Sequence, residues 1–258
     1  MMVQQEVEFA QLSDVGCQRR DNEDSFGIWK PANPDELAHK GILALVADGM
    51  GGYEGGREAS QIALHSVFEV YEHADGDAQT ALLEGLQTAH DRIQEYAGQH
   101  PGLVGMGTTC TVVSLIGAQI CFAHIGDSRL YLVRGSTIAR LTRDDSYVSR
   151  LVQAGLINED EAEHHPQRHI LTAALGVGSD LIPDTPERPL ALIDGDLLVL
   201  CTDGLWGLVN DRELHKVVSA KTPNDACHEL VRLARERGGP DNITVEVLRF
   251  SHGDSTRD

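Results

Sequence analysis

The stretch Ile42-Leu43-Ala44-Leu45-Val46-Ala47-Asp48-Gly49 decides the architecture. A short aliphatic run closed by an aspartate at a glycine turn reads as a buried strand. The pattern recurs. Ile120-Cys121-Phe122-Ala123-His124-Ile125 runs into Gly126-Asp127, and Leu197-Leu198-Val199-Leu200-Cys201-Thr202 runs into Asp203-Gly204. Asp241-Asn242 opens a further run over 243–250. An aspartate at one end of each strand sets carboxylates along the rim of a sheet. Carboxylates gathered together repel unless cations lie between them, so this rim is a candidate metal site.

Working outward, residues 7–13 and 25–28 read as strands, and 29–40, with Pro31 and Pro34, reads as a loop. Past the glycines at 49, 51, 52, 55 and 56 the apolar period changes to that of a helix. Helices are expected over 57–71 and 77–97. Residues 108–116, 119–125, 129–133 and 137–141 are short segments between glycine turns and should pair antiparallel. Residues 144–175 break the β pattern with two short helices, at 147–154 and at 158–163, the second capped by Asn158. Strands return at 190–192 and 197–202, helices follow at 211–220 and 224–237, and the last strand spans 242–250. Two blocks of strands and two blocks of paired helices predict an α+β fold of stacked sheets with helices outside. No linker or repeat divides the chain, so one domain is expected over 7–250, with a polar tail at 251–258.

Composition narrows the function. A 41% hydrophobic and 24% charged chain of 258 residues is an ordinary globule. Its net charge of −19 makes nucleic acid and acidic membranes poor partners. The five cysteines form no C-x-x-C pair, and Cys121 and Cys201 lie inside apolar runs. That points to packing, a reducing compartment and a cytoplasmic protein. The N-terminus has no basic start or apolar core of a leader, and no stretch approaches membrane-spanning length.

The chemistry lies in the acids. Mg²⁺ and Mn²⁺ prefer oxygen ligands and keep several waters, so a few carboxylates suffice. Asp48, Asp203 and Asp241 have the right type and setting. There is no H-E-x-x-H and no cysteine pair, which disfavours zinc. A pair of such ions lowers the pKa of a bridging water for in-line attack on phosphorus. The segment Arg19-Arg20-Asp21-Asn22-Glu23-Asp24 adds guanidinium groups, whose planar fork suits phosphate oxygens.

With these motifs in place, the chain resembles the metal-dependent Ser/Thr protein phosphatases of type 2C, the PPM family, in their compact bacterial form. The motifs stand in order: Arg19-x-x-Asn22-Glu23-Asp24, Val46-Ala47-Asp48-Gly49-Met50-Gly51-Gly52, Gly107-Thr108-Thr109, Gly126-Asp127-Ser128-Arg129, Cys201-Thr202-Asp203-Gly204-Leu205-Trp206 and Asp241-Asn242-Ile243-Thr244. The resemblance implies a four-layer α-β-β-α sandwich with two Mn²⁺ or Mg²⁺ ions at one end. Asp48 would bridge the ions and the Gly49 carbonyl would bind one of them. Asp203 and Asp241 would hold the other, and Asp127 with Asp203 a third, weaker ion. Glu23, Asp24 and Asn242 would support this set from behind, and Arg19 would bind the substrate phosphate. Residues 144–175 match a flap beside the site. The implied reaction is hydrolysis of phosphoserine and phosphothreonine by a metal-bridging hydroxide, with no phosphoenzyme and no cysteine nucleophile. The implied partners are phosphorylated proteins, a bacterial Ser/Thr kinase among them, acted on by a monomer.

The chain also departs from the family. Met50 stands where some relatives carry a histidine offered as the leaving-group acid. The flap reads Asp144-Asp145-Ser146 in place of Asp-His-Ser, and His169 and Leu171-Thr172-Ala173 in place of Asn and Leu-Thr-Arg. Water on the third ion, near Asp127, is then the expected acid. His164, His165 and His169 are expected on the flap surface, since Pro166 interrupts helical spacing. Two competing readings are a catalytically silent phosphoprotein-binding module and another two-metal hydrolase such as a nuclease. The complete set Asp48, Asp203 and Asp241 opposes the first, and the charge opposes the second.

Overall fold

The computed structural model describes residues 5–51 and 55–252. Its first sheet runs in the order β1 (Gln5–Asp14), β11 (Ile243–His252), β10 (Leu197–Cys201), β7 (Arg129–Arg134) and β8 (Thr137–Arg140). The second runs β2 (Asp24–Trp29), β3 (Ile42–Met50), β5 (Cys110–Ile116), β6 (Gln119–Ile125) and β9 (Leu190–Ala191), with β4 (Gly107–Thr108) paired to the end of β3. All these pairings are antiparallel.

Strand alternation sorts the core into three clusters. Leu43, Leu45 and Ala47 of β3 face α2 (Gly55–His73) and α3 (Ala78–Gln99), where Ala63, Val67, Leu82 and Leu86 meet them. Ile42, Ala44 and Val46 point the other way, onto Leu198, Leu200, Leu248 and Phe250 of the first sheet. Val245 and Val247 turn outward to α7 (Asp211–Ala220) and α8 (Pro223–Glu236). Strands buried on both faces read as unbroken apolar runs, which is why these sequences do not alternate. The result is helix pair, sheet, sheet, helix pair. Among the described residues no helix is long and apolar enough to cross a membrane.

Several boundaries differ from expectation. Residues 34–40, read as loop, form α1 (Pro34–Lys40). Pro34 is tolerated in a first turn and Asn33 accepts a hydrogen bond from the Asp35 N–H, so a cap signal outweighed the two prolines. Ser251 and His252, assigned to the tail, continue β11 because they pair with Glu6 and Gln5. The rest of the expected tail, 253–258, and Gly52 lie outside the described residues. The flap holds α4 (Tyr147–Gln153) and α5 (Glu159–Glu163), the latter opened by a capping box on Asn158. A single turn, α6 (Asp203–Trp206), was not anticipated; it begins at one of the candidate metal ligands.

Candidate active site

The acids converge. Asp24 and Asp48 are directly opposite one another where β2 pairs with β3. Asp203 starts α6 where β10 ends, Asp127 lies in the turn from β6 to β7, and Asp241 precedes β11. Asp48, Asp127, Asp203, Asp241, Glu23, Gly49 and Arg19 line one cleft of about 1130 Å³. Residues up to 222 positions apart in the chain meet here, as in the 2.7 Å pair between Arg19 Nη2 and Asp241 Oδ2.

Backbone and hydroxyl contacts hold the acids in place. The Asp48 N–H donates to Thr109 Oγ1 at 2.9 Å, and the Asp48 carbonyl accepts from the Thr109 N–H and from Thr108 Oγ1, each at 2.9 Å. Thr109 Oγ1 in turn meets Ser128 Oγ at 2.7 Å, beside Asp127. Asn242 clamps the loop that carries Arg19. Its Oδ1 accepts from the Glu23 N–H at 2.8 Å and its Nδ2 donates to the carbonyls of Val15 and Asp21, each at 3.0 Å. Ser60 Oγ donates to the Glu23 carbonyl at 2.6 Å. Two glycines permit the close crossings: a Cβ at Gly49 would lie 2.1 Å from the Gly56 carbonyl oxygen, and one at Gly204 would lie 1.9 Å from that of Asn242.

The electrostatics are those of crowded, dehydrated anions. Burial raises the Asp48 carboxyl well above its usual range, and Asp24, Asp203, Asp127 and Asp241 push it further. Burial and then Asp203 and Asp144 do the same to Asp127, against the opposing charge of Arg129. Asp203 is raised by burial and by Asp241. Asp24 is pushed up to about 7, chiefly by burial, although Thr244 and Thr202 hydroxyls donate to its Oδ2 at 2.5 and 3.0 Å. Among the described residues Asp203 Oδ1 and Asp24 Oδ1 are buried with no hydrogen-bond partner.

Such a floor fits hard divalent cations. Unpartnered buried carboxylate oxygens and mutual repulsion are what a doubly charged ion relieves. Among the described residues no three histidine, cysteine or carboxylate groups stand close enough together to hold a metal ion by themselves. The acids ring an open floor, the arrangement suited to ions that retain water.

Two features escaped sequence reasoning. His169, expected on the flap surface with His164 and His165, is exposed but enters the cleft, with Nδ1 3.9 Å from Asp203 Oδ2. No local pattern signals this, because it depends on how the flap folds back: Tyr147 N–H donates to Ile170 O at 2.8 Å and Thr172 N–H to Asp145 O at 2.7 Å. Trp206 Nε1 donates to the Asp127 carbonyl at 2.9 Å, and its ring carries the Arg129 guanidinium 3.6 Å above it. Arg129 also forks onto Asp144 at the flap root, at 2.7 and 3.1 Å. Cys110, Cys121, Cys201 and Cys227 are buried as expected, whereas Cys17 is exposed. Met50 lines the cleft where a histidine was noted in relatives.

Comparison with known proteins agrees with this geometry. The family model for protein phosphatase 2C matches residues 19–232. Protein phosphatase PhpP of Streptococcus pneumoniae is 34% identical over 255 residues, covering 96% of this chain and 100% of that protein. The crystal structure of the Mycobacterium tuberculosis serine/threonine phosphatase PstP superposes with a TM-score of 0.85 at 34% identity, covering 95% of this chain and 99% of that one. A structure of the PstP catalytic domain in complex with two manganese ions gives a TM-score of 0.82 at 31% identity, covering 96% of this chain and 100% of that one. The acid-floored cleft, the stacked sheets and these likenesses agree: the chain belongs to the protein phosphatase 2C family.

Proposed function

We propose that this protein is a metal-dependent phosphatase acting on phosphoserine and phosphothreonine in proteins. The observation that carries the reading is the set of strand-end carboxylates Asp48, Asp127, Asp203 and Asp241 on one cleft floor with Arg19 above them. Asp48, the Gly49 carbonyl, Asp203 and Asp241 would hold two Mn²⁺ or Mg²⁺ ions, and Asp127 with Asp203 a weaker third. Such ions lower the pKa of water and offset charge on phosphoryl oxygens.

The chain's own residues do the positioning. Arg19, paired with Asp241 and half exposed, is free to turn its fork onto a phosphoryl group. Asn242 and Ser60 fix the loop that carries it, so the group is held in line over the floor. Glu23 and Asp24 sit behind the ligands, where they orient water by accepting hydrogen bonds. No side chain need attack phosphorus, so the buried cysteines have no part in the chemistry. With Met50 unable to give a proton, the leaving-group proton comes from water near Asp127.

The domain, with its first and last described strands reaching Gln5 and His252, acts as a monomer in the cytoplasm on phosphorylated proteins, opposing a Ser/Thr kinase. The test is phosphate release from a phosphothreonine peptide with Mn²⁺, with and without chelator, beside Asp203→Asn. Release that needs Mn²⁺ and Asp203 supports the reading; binding of the peptide without release would make the protein a recognition module.

A further inference from the structure

We propose that the cleft selects phosphopeptides bearing additional negative charge next to the phosphorylated residue, held by Arg20 and Arg168. This rests on the phosphatase reading above and names the substrate class of that site.

The cleft, at about 1130 Å³, is far larger than a phosphoseryl group, so flanking residues of a substrate also lie within it. Its charge is layered. Asp127 and Glu23 are buried and Asp203 is largely so, all at the floor. The two acids nearer the mouth are already paired: Asp21 with Arg57 at 3.0 Å and Asp241 with Arg19 at 2.7 Å. Arg20, on the loop between β1 and β2, and Arg168, on the flap, line the same cleft from two separate walls. Both are exposed, and among the described residues neither has an ion-pair or side-chain hydrogen-bond partner. The chain has 40 acidic residues against 21 basic ones, so carboxylates to pair with are plentiful. Two guanidinium groups held at the mouth without one are a ready-made pair of forks for incoming anions. A carboxylate side chain and a second phosphate both satisfy that chemistry. Because the forks lie away from the reacting phosphorus, their contribution falls on substrate capture and is screened by salt.

The experiment measures kcat and KM with Mn²⁺ on three phosphothreonine peptides that differ only in their flanks: neutral, Asp/Glu, or a second phosphothreonine. Both anionic peptides are expected to exceed the neutral one in kcat/KM by roughly tenfold, through KM. In the Arg20→Gln/Arg168→Gln double variant that ratio should fall to about one, and about 0.5 M salt should erase it in the parent protein. Turnover of the neutral peptide by the double variant reports that it is folded. The faster of the two anionic peptides identifies carboxylate or phosphate as the preferred group. Equal kcat/KM on all three peptides, or a preference that survives in the double variant, overturns the proposal and leaves the phosphatase reading standing. No release from any peptide overturns both.

Discussion

Asp24 and Glu246 are buried carboxylates on facing sheets of the same sandwich, and their surroundings differ sharply. Asp24 lies at the cleft end, where Thr202 and Thr244 hydroxyls donate to it. Glu246 sits two residues further along β11, on the face shared with Leu248 and Phe250, at 0% exposure. Neither of its oxygens has a hydrogen-bond partner among the described residues, and the backbone of Gly27 and Leu45 leans toward it without reaching that geometry. Burial therefore drives Glu246 well above the usual carboxylate range. At the end of a sheet, hydroxyls and cations can meet an acid. In the middle of one, protonation is the remaining relief.

The largest effect expected from this contrast is functional. Asp48→Asn should lower Mn²⁺-dependent phosphate release by at least about 100-fold. The same variant should melt higher in chelator, by roughly 2–4 °C, because it removes one of several repelling charges. A lower melting temperature there would contradict the account of mutual repulsion. Next, Mn²⁺ at a hundredfold excess over its dissociation constant should stabilise the parent by about 2.7 kcal/mol. Thermal melts should show that gain persisting in Glu246→Leu and shrinking in Asp48→Asn.

Glu246→Leu should itself stabilise the fold by about 1–3 kcal/mol at neutral pH. The sign follows from linkage. A carboxyl whose folded pKa is raised contributes most below its unfolded value, near 4.5, and that contribution is lost as pH rises through the folded value. The advantage of Glu246→Leu over the parent should thus widen from acid toward neutral pH, as denaturant titrations at several pH values would show. A constant gap would mean that packing alone is responsible. The smallest effect is that of Thr244→Val, about 1 kcal/mol of destabilisation. It deprives Asp24 of its 2.5 Å donor and cuts the 2.7 Å link to Ser13.

Strand-end acids were legible in sequence because apolar runs ending in Asp-Gly or Gly-Asp mark both burial and its limit. Asp48, Asp127, Asp203, Asp241 and Arg19 all reach the one cleft those runs implied. The helix pairs were legible too, through periodicity. What stayed hidden were long-range pairings with no local signature. Thr109 contacts Asp48 across 61 positions, Trp206 contacts Asp127 across 79, and Glu246 looks like an exposed strand residue until a second sheet covers it. That the exposed His169 also borders the cleft stayed hidden for the same reason, because a flap's surface and a cleft's wall share one composition.

The order of strands in the first sheet bears on how the molecule comes into being. β11, the last strand described, is not at an edge but between β1 and β10, with Gln5 opposite His252 and Val199 opposite Val247. A nascent chain still lacking residues 241–252 leaves β1 unpaired and the inter-sheet core without Leu248 and Phe250. It also lacks Asp241 and the Asn242 clamp. Such a topology folds late and through non-local closure. Hydrolytic competence therefore arrives only when this segment clears the ribosome.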